Sequence, residues 1–491
     1  MPLPVEPRKK IPLKKIVLIA FLVVIGLVVA GLAFVGYRFR SMMSPKVTLA
    51  PVPDDPGLPD IIVITLDTFR YDVLFDPVTG EAKDGALAPV IEKGRVFTNA
   101  YSTSSWTMPA HASMISGLYP NVHKADQEYW RIGEKFPVAA ELLTARGYFT
   151  AGITENSMLH RLSGFPRGFY RYHEAFTQAA PRKKMTLALD RLDEVLGDSD
   201  LGDRPLFLFV NLIDAHWPYE PRREAYQPLD GIDYDEAIRI QKDYSIARWY
   251  LNKVDKSPER LALLRYLYDL EAADGLEKVN KMLAVLEQRR HRPKKIVILS
   301  DHGENFGEHG HRDHCFSLNE ELVHVPMILV GDGVEPGRSD SPVSLVDLFP
   351  TILQWGKTAV PQNAGLSLND PLPKERALFM SYGYPLQTLQ AFSPKQRSNP
   401  LLEPFLSRLT GARKMVWKMV VRESGGVYLY DLAQDPGEMT NIVTDNRDAA
   451  VAMSKEIDKY KASESDAYRS EKPMIMDKAA KQSLKSLGYI Q

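Results

Sequence analysis

The residues best suited to chemistry stand just beyond short apolar runs. Asp67 closes IIVITLD, Asn156 sits in ITENS, Asp214 and His216 open IDAHWPYEP, and Asp301 and His302 lie in LSDHGE. A single aspartate after a strand is ordinarily a turn former or a helix cap. Recurrence at successive strand ends asks for another explanation. Asp67, Asp301 and His302 offer two carboxylates and one imidazole. That mixture suits a divalent ion such as Zn²⁺ or Mn²⁺; Mg²⁺ or Ca²⁺ would favour an all-oxygen shell. Such an ion holds an oxygen nucleophile and lowers its pKa.

The candidate nucleophile is Thr107, in Ser104–Gly117 (SSWTMPAHASMISG). Pro109 is tolerated in a first helical turn. A threonine oxygen at that end meets backbone N–H groups and a dipole that favour anions, here a phosphate or sulfate group. A plain threonine N-cap is the competing reading.

The elements that must position these groups are legible as hydrophobic runs. Asp60–Leu66, Tyr148–Ile153, Leu206–Leu212, Lys295–Leu299 and Val325–Val330 read as buried strands. Helical patterns such as Phe136–Arg146 and the long Pro258–Arg290 lie between them. Strands alternating with helices predict an α/β fold with parallel strands, whose sites form at the carboxyl ends of the strands. Lys414–Val421 and Gly426–Tyr430 read instead as an antiparallel pair, the start of a smaller C-terminal subdomain, and Asp448–Tyr468 reads as a helix.

The N-terminus carries a different signal. Ile16–Gly36 holds no charged residue, and about 20 such residues span a bilayer core of roughly 30 Å. Arg8, Lys9, Lys10, Lys14 and Lys15 precede it, which orients that end toward the cytoplasm. The predicted organisation is a cytoplasmic basic segment (1–15), a transmembrane helix (16–37), a linker (38–58), a catalytic domain (59–385) and a C-terminal subdomain with tail (386–491). Met42–Pro59 is proline-rich and aperiodic and reads as an extended tether. The catalytic domain is then expected outside the cytoplasm, periplasmic or extracellular. A formal net charge of -1 gives no basic field for a nucleic-acid partner. The lone Cys315 cannot form an intrachain disulfide.

Several ordered segments resemble the sulfatase family of the alkaline-phosphatase superfamily, from about Asp60 nearly to the end. IIVITLDTFRYD is similar to its opening strand and metal aspartate, TMPAHASMISGLYP to its nucleophile segment, and VILSDHGENFGEHG to its second metal segment. DAHWPYEP, NEELVHVPMIL, SLVDLFPTIL, VYLYDLAQDPGEMTNI and SLGYI resemble later signatures. The resemblance implies an alkaline-phosphatase-like, mostly parallel mixed sheet flanked by helices. It implies metal ligation by Asp67, Thr107, Asp301 and His302, and catalytic roles for Thr107, His216 and His314. His111 stands where the family usually has Arg and, with Asn156, is expected to bind substrate.

The departures are informative. Sulfatases carry Cys or Ser at the position of Thr107 and convert it to formylglycine, a conversion threonine is not expected to undergo. Thr68 replaces a second acidic residue, and His302 stands where many sulfatases have Asn. This set is closer to threonine-nucleophile phosphoglycerol and phosphoethanolamine transferases of the superfamily. The expected function is cleavage or transfer of a phosphoryl-type ester through a covalent Thr107 intermediate, on a small molecule or a lipid head group. Three alternatives stand beside it. One is a sulfuric ester hydrolase. Another is a two-metal phosphodiesterase, with Asp214, His216 and His314 on the second ion. The last is an inactive membrane-tethered binding protein. Trp217 and Tyr219 read as core or rim packing that could line a substrate slot. Glu304, Asn305 and Glu308 read as loop polar residues, with Glu304 able to reach the site, and Asp274 as a surface or capping charge.

Overall fold

A computed structural model describes residues 47–176 and 185–464. Its centre is an eight-stranded sheet in the order Gly337–Ser339, Arg95–Phe97, Met327–Gly331, Lys294–Ser300, Asp60–Leu66, Leu206–Leu212, Phe149–Thr154, Arg171–Glu174. Asp60–Leu66 is parallel to both neighbours, Ile64 lying opposite Val210 on one side and Ile298 on the other. One expectation is corrected. The run at Val325–Val330, read with the parallel strands, forms Met327–Gly331 and runs antiparallel to both of its neighbours, within the mixed, mostly parallel sheet that the resemblance implied. A buried apolar run carries no sign of its own direction, which the chain's path decides.

The central strand is apolar throughout because both of its faces are covered. Ile62, Ile64 and Leu66 point into a core shared with the helix Pro258–Arg289, while Ile61 and Val63 point into a second core shared with the helix Thr107–Ser116. The sheet is thus held between the long helix and the nucleophile helix. At its amino end the buried Asp60 accepts from Arg290, Nε to Oδ2 at 2.7 Å and Nη2 to Oδ1 at 2.9 Å, which fixes the end of the long helix to the start of the strand.

Leu378–Tyr382, Leu409–Lys414, Trp417–Arg422 and Val427–Asp431 form an antiparallel meander. The helix Arg447–Ala462 covers one face, packing Met453 and Ile457 on Ala412, Met419 and Leu429. The expected Lys414–Val421 and Gly426–Tyr430 pair lies within this sheet, with Val420 opposite Tyr428. Its first strand precedes residue 386. The sheet is joined to the main body by the buried Lys418, whose Nζ reaches Glu320 and Glu438, each at 2.8 Å.

The proline-rich stretch, where described, is docked and not free. Leu58 is buried, Arg204 Nη1 donates to Ala50 O at 2.7 Å, and a Cβ on Gly147 would strike Pro51 O. The expected segments 1–15 and 16–37 lie outside the described residues, as does SLGYI. Among the described residues no helix is long and apolar enough to cross a membrane.

Candidate active site

The carboxyl ends of three adjacent strands converge on one buried cluster. Asp67 follows the central strand, its N–H donating to Leu212 O at 2.8 Å. Its Oδ2 accepts from Asn156 Nδ2 at 2.7 Å and Asn211 Nδ2 at 3.2 Å. Asp301 follows the neighbouring strand, and its Oδ1 accepts the backbone N–H groups of Thr68 (3.1 Å) and His302 (2.8 Å). Thr68 adopts φ 56°, a left-handed turn that bends the chain away directly after Asp67. Each aspartate therefore spends one oxygen on protein donors. The other oxygens, Asp67 Oδ1 and Asp301 Oδ2, are buried without a hydrogen-bond partner.

His302 completes the group. Its Nδ1 donates to Gly303 O at 3.0 Å, which leaves Nε2 facing Asp301 Oδ2 at 3.4 Å and Thr107 Oγ1 at 3.3 Å. Burial pushes this imidazole down to about 3, so it is neutral and Nε2 carries a lone pair. Burial, with the neighbouring Asp301 charge, pushes Asp67 up to about 7; burial does the same to Asp301. Ligand atoms of Asp67, Asp301 and His302 lie within 4.8 Å of one another. Two orphaned carboxylate oxygens and an imidazole lone pair, wholly buried together, fit a divalent cation.

Thr107 is the first residue of its helix and not the cap, which is the extended Trp106. Every residue of that helix is buried. His111 lies one turn on and wholly buried. Its Nδ1 donates to Thr107 O at 2.9 Å, and its Nε2 accepts from Asn211 Nδ2 at 3.3 Å. It thus sits beneath the nucleophile, between Thr107 and the strand ends. Asn156 caps the following turn by accepting from Met158 N–H while donating to Asp67, so its amide reaches a metal candidate.

His216 and His314 come together on the other side, ring centroids 5.2 Å apart, and His314 lies 4.6 Å from His302. His216 Nδ1 donates to Trp217 O at 2.6 Å. His314 Nδ1 contacts Asp313 Oδ1 at 2.7 Å, and Asp313 and Glu304 hold it well above the usual histidine range against the opposing effect of burial.

Three expectations are corrected. Asp214 is not free to join His216 and His314 on a second ion: its Oδ2 accepts from the buried Lys278 Nζ at 2.8 Å, which also binds Glu155 at 3.0 Å. Glu304 and Asn305 are not loop-surface groups but fully buried beside His314. Asp274 is a buried partner of Arg222. Tyr219 is core, its hydroxyl accepting from Arg312. Glu308 pairs with Arg70 at 2.7 Å.

The sequence reading missed Asn211, Lys278 and Asp313. Asn211 had a signal: it is the lone polar residue of LFLFVNL. Lys278 had none, because a lysine in a long helix reads as solvated surface. Asp313–His314 repeats the Asp301–His302 dipeptide.

The sulfatase family model matches residues 59–358, the span that carries this cluster. The chain belongs to the sulfatase family. Arylsulfatase K of Bos taurus is 25% identical over 445 residues, covering 79% of this chain and 78% of the relative. Choline-sulfatase of Rhizobium meliloti (strain 1021) is 24% identical over 453 residues, covering 80% and 83%. The solved phosphonate monoester hydrolase of Agrobacterium radiobacter shares the fold with a TM-score of 0.63 at 18% identity, covering 83% of this chain and 96% of that one. The protein is accordingly a hydrolase-type enzyme, and Asp67, Asp301 and His302 are its candidate metal centre.

Proposed function

We propose that this protein cleaves or transfers a phosphoryl-type ester through a covalent intermediate on Thr107. What supports it is a threonine oxygen, not a cysteine or serine, 3.3 Å from His302 Nε2 and at the start of a buried helix. Asp67, Asp301, His302 and Thr107 Oγ1 would hold a divalent ion, Zn²⁺ or Mn²⁺ before Mg²⁺ or Ca²⁺, which when bound lowers the proton affinity of the hydroxyl.

Thr107 Oγ1 passes its proton to solvent water and attacks phosphorus in line with the leaving oxygen. The bond to the leaving oxygen breaks, and His216 or His314 supplies its proton. The cationic His314 also offsets charge on the non-bridging oxygens. His111 keeps Thr107 in place through the carbonyl it binds, and Asn156 orients Asp67 while facing the substrate end. Water or an acceptor alcohol then attacks the phosphothreonine, breaking the bond to Oγ1 and freeing Thr107.

A sulfuric ester is the second reading, favoured by the choline-sulfatase and arylsulfatase K relatives. Assay of the full-length chain on chromogenic phosphate monoester, phosphate diester and sulfate ester, with Zn²⁺ or Mn²⁺ and beside Thr107→Ala, separates the two. Metal-dependent phosphoester turnover lost in Thr107→Ala supports the proposal. Preference for the sulfate ester selects the second reading, and no turnover with no bound metal overturns both.

An N-terminal membrane anchor with the catalytic domain outside the cytoplasm belongs to the same proposal, supported by the uncharged Ile16–Gly36 and its basic flank. It would keep the enzyme near lipid head-group esters. Membrane pelleting that resists alkaline carbonate and is lost on deleting residues 1–46 is the expected result; a chain that stays in the supernatant overturns it.

A further inference from the structure

We infer that Glu304, Asp313 and His314 form a second divalent-cation site beside the first. The first centre consists of an Asp–His dipeptide, Asp301–His302, plus one more carboxylate, Asp67. The second repeats that plan with Asp313–His314 and Glu304. In both dipeptides the aspartate Oδ1 accepts the N–H of the histidine that follows, at 2.8 Å in the first and 2.7 Å in the second.

Both centres also share buried carboxylate oxygens without a hydrogen-bond partner. Glu304 is 0% exposed, and neither of its oxygens has a hydrogen-bond partner. Its nearest cationic atoms are His314 Nδ1 at 3.7 Å and Arg312 Nη1 at 4.0 Å. A wholly buried carboxylate with both oxygens unsatisfied is costly and asks for an ion or an ordered water. Asn305 Oδ1, beside it, is likewise buried without a partner.

The spacing suits a cation. Ligand atoms of Glu304, Asp313 and His314 lie within 4.8 Å of one another. Atoms that sit about 2.1 Å from one ion are themselves roughly 3 to 4 Å apart. Of the contacts of His314 Nδ1, 3.7 Å to Glu304 Oε2 lies within that range and 2.7 Å to Asp313 Oδ1 just below it. The mixed oxygen and nitrogen set selects Zn²⁺ or Mn²⁺ over Ca²⁺. On binding, His314 releases its Nδ1 proton to solvent and offers that lone pair. Glu304, Asp313 and His314 would hold the ion, whose charge would stabilise the leaving oxygen in place of the His314 imidazolium. That role, though not the site itself, rests on the reading of Asp67, Asp301, His302 and Thr107 as the reacting centre.

The test counts metal on the chelator-stripped full-length chain, dialysed against excess Zn²⁺ and read by mass spectrometry of the element. Circular dichroism checks that each variant is folded. We expect two equivalents in the wild type, one in Glu304→Gln and one in Asp301→Asn. One equivalent in the wild type, kept in Glu304→Gln and lost in Asp301→Asn, overturns the second site and leaves the first standing. One equivalent kept in Asp301→Asn and lost in Glu304→Gln upholds the second site and overturns the first. Two equivalents retained in Glu304→Gln, or none in the wild type, overturn the inference. Should Glu304→Gln not fold, Asp313→Asn replaces it with the same expected count.

Discussion

Thr107 Oγ1 lies 3.3 Å from His302 Nε2, although 195 residues separate them in the chain. The contact brings the start of one helix to the end of a strand on the far side of the sequence. It also places a hydroxyl oxygen next to the one imidazole nitrogen that the Gly303 carbonyl leaves unoccupied. A nucleophile at this position makes the first prediction direct. Thr107→Ala should lower kcat/KM roughly a thousandfold or more. Thr107→Ser should keep activity, and intact-protein mass spectrometry of the wild type under turnover should find phosphate on Thr107. Equal activity in the alanine variant would remove the threonine from the chemistry.

Chelation should act on both rate and stability. Stripping divalent ions should abolish turnover, and adding Zn²⁺ or Mn²⁺ should restore it. At a free ion concentration about 100 times Kd, each ion bound should raise stability by about 2.7 kcal/mol over the stripped protein. Denaturant melts with and without the ion measure this, and Asp301→Asn should remove the share due to the Asp67, Asp301 and His302 centre.

Lys278 should be a large single-site stability determinant. Its ammonium is fully buried between Glu155 and Asp214. Lys278→Met leaves two buried carboxylates facing each other, a loss of about 3–5 kcal/mol. The triple variant Lys278→Met, Glu155→Gln, Asp214→Asn should recover most of that in urea unfolding. If Lys278→Met costs nothing, the triad is not formed in solution.

His123 gives a pH dependence with a definite sign. It is wholly buried beneath the nucleophile helix, its Nε2 bonded to Ser113 Oγ and its Nδ1 accepting from Ala125 N–H. Burial pushes it down to about 3, against about 6.5 in an unfolded chain. Between those values the unfolded chain holds the extra proton, so this contribution is complete above about pH 6.5 and is lost as the pH falls toward 3. The slope due to this residue should reach about 1.4 kcal/mol per pH unit. Melts of the wild type and His123→Gln between pH 4 and 7 should differ in slope by that amount.

Much of the site was legible because chemistry concentrates at strand ends. The apolar runs located the strands to within a residue or two, and Asp67, Asp301 and His302 stand within three residues of their ends. What could not be read depends on contacts between distant segments. Nothing local distinguishes Lys278 from a solvated helical lysine, or shows that Asp214 is already bound to it. Glu304 reads as loop polarity because burial of the 301–314 segment is imposed by distant residues, with Tyr219 and Tyr268 against Phe306 and Tyr250 bonded to Arg312 O. The direction of Met327–Gly331 was hidden for a related reason: strand polarity is a property of the path between strands, not of the residues within one.

The long helix Pro258–Arg289 has one more consequence. Tyr268 donates its hydroxyl to Thr68 O and accepts from Arg70 N–H, just after Asp67. A Cβ at Gly275 would lie 3.3 Å from that of Asp214, and Lys278 grips Glu155 and Asp214 together. Three strand ends are therefore indexed against one rigid ruler. Inserting a single residue between Tyr268 and Lys278 would rotate everything beyond it by about 100°, so one of the two grips must be lost. Loops around the mouth can lengthen or shorten over generations, but the register of this helix cannot drift by even one residue without detaching part of the cluster it aligns.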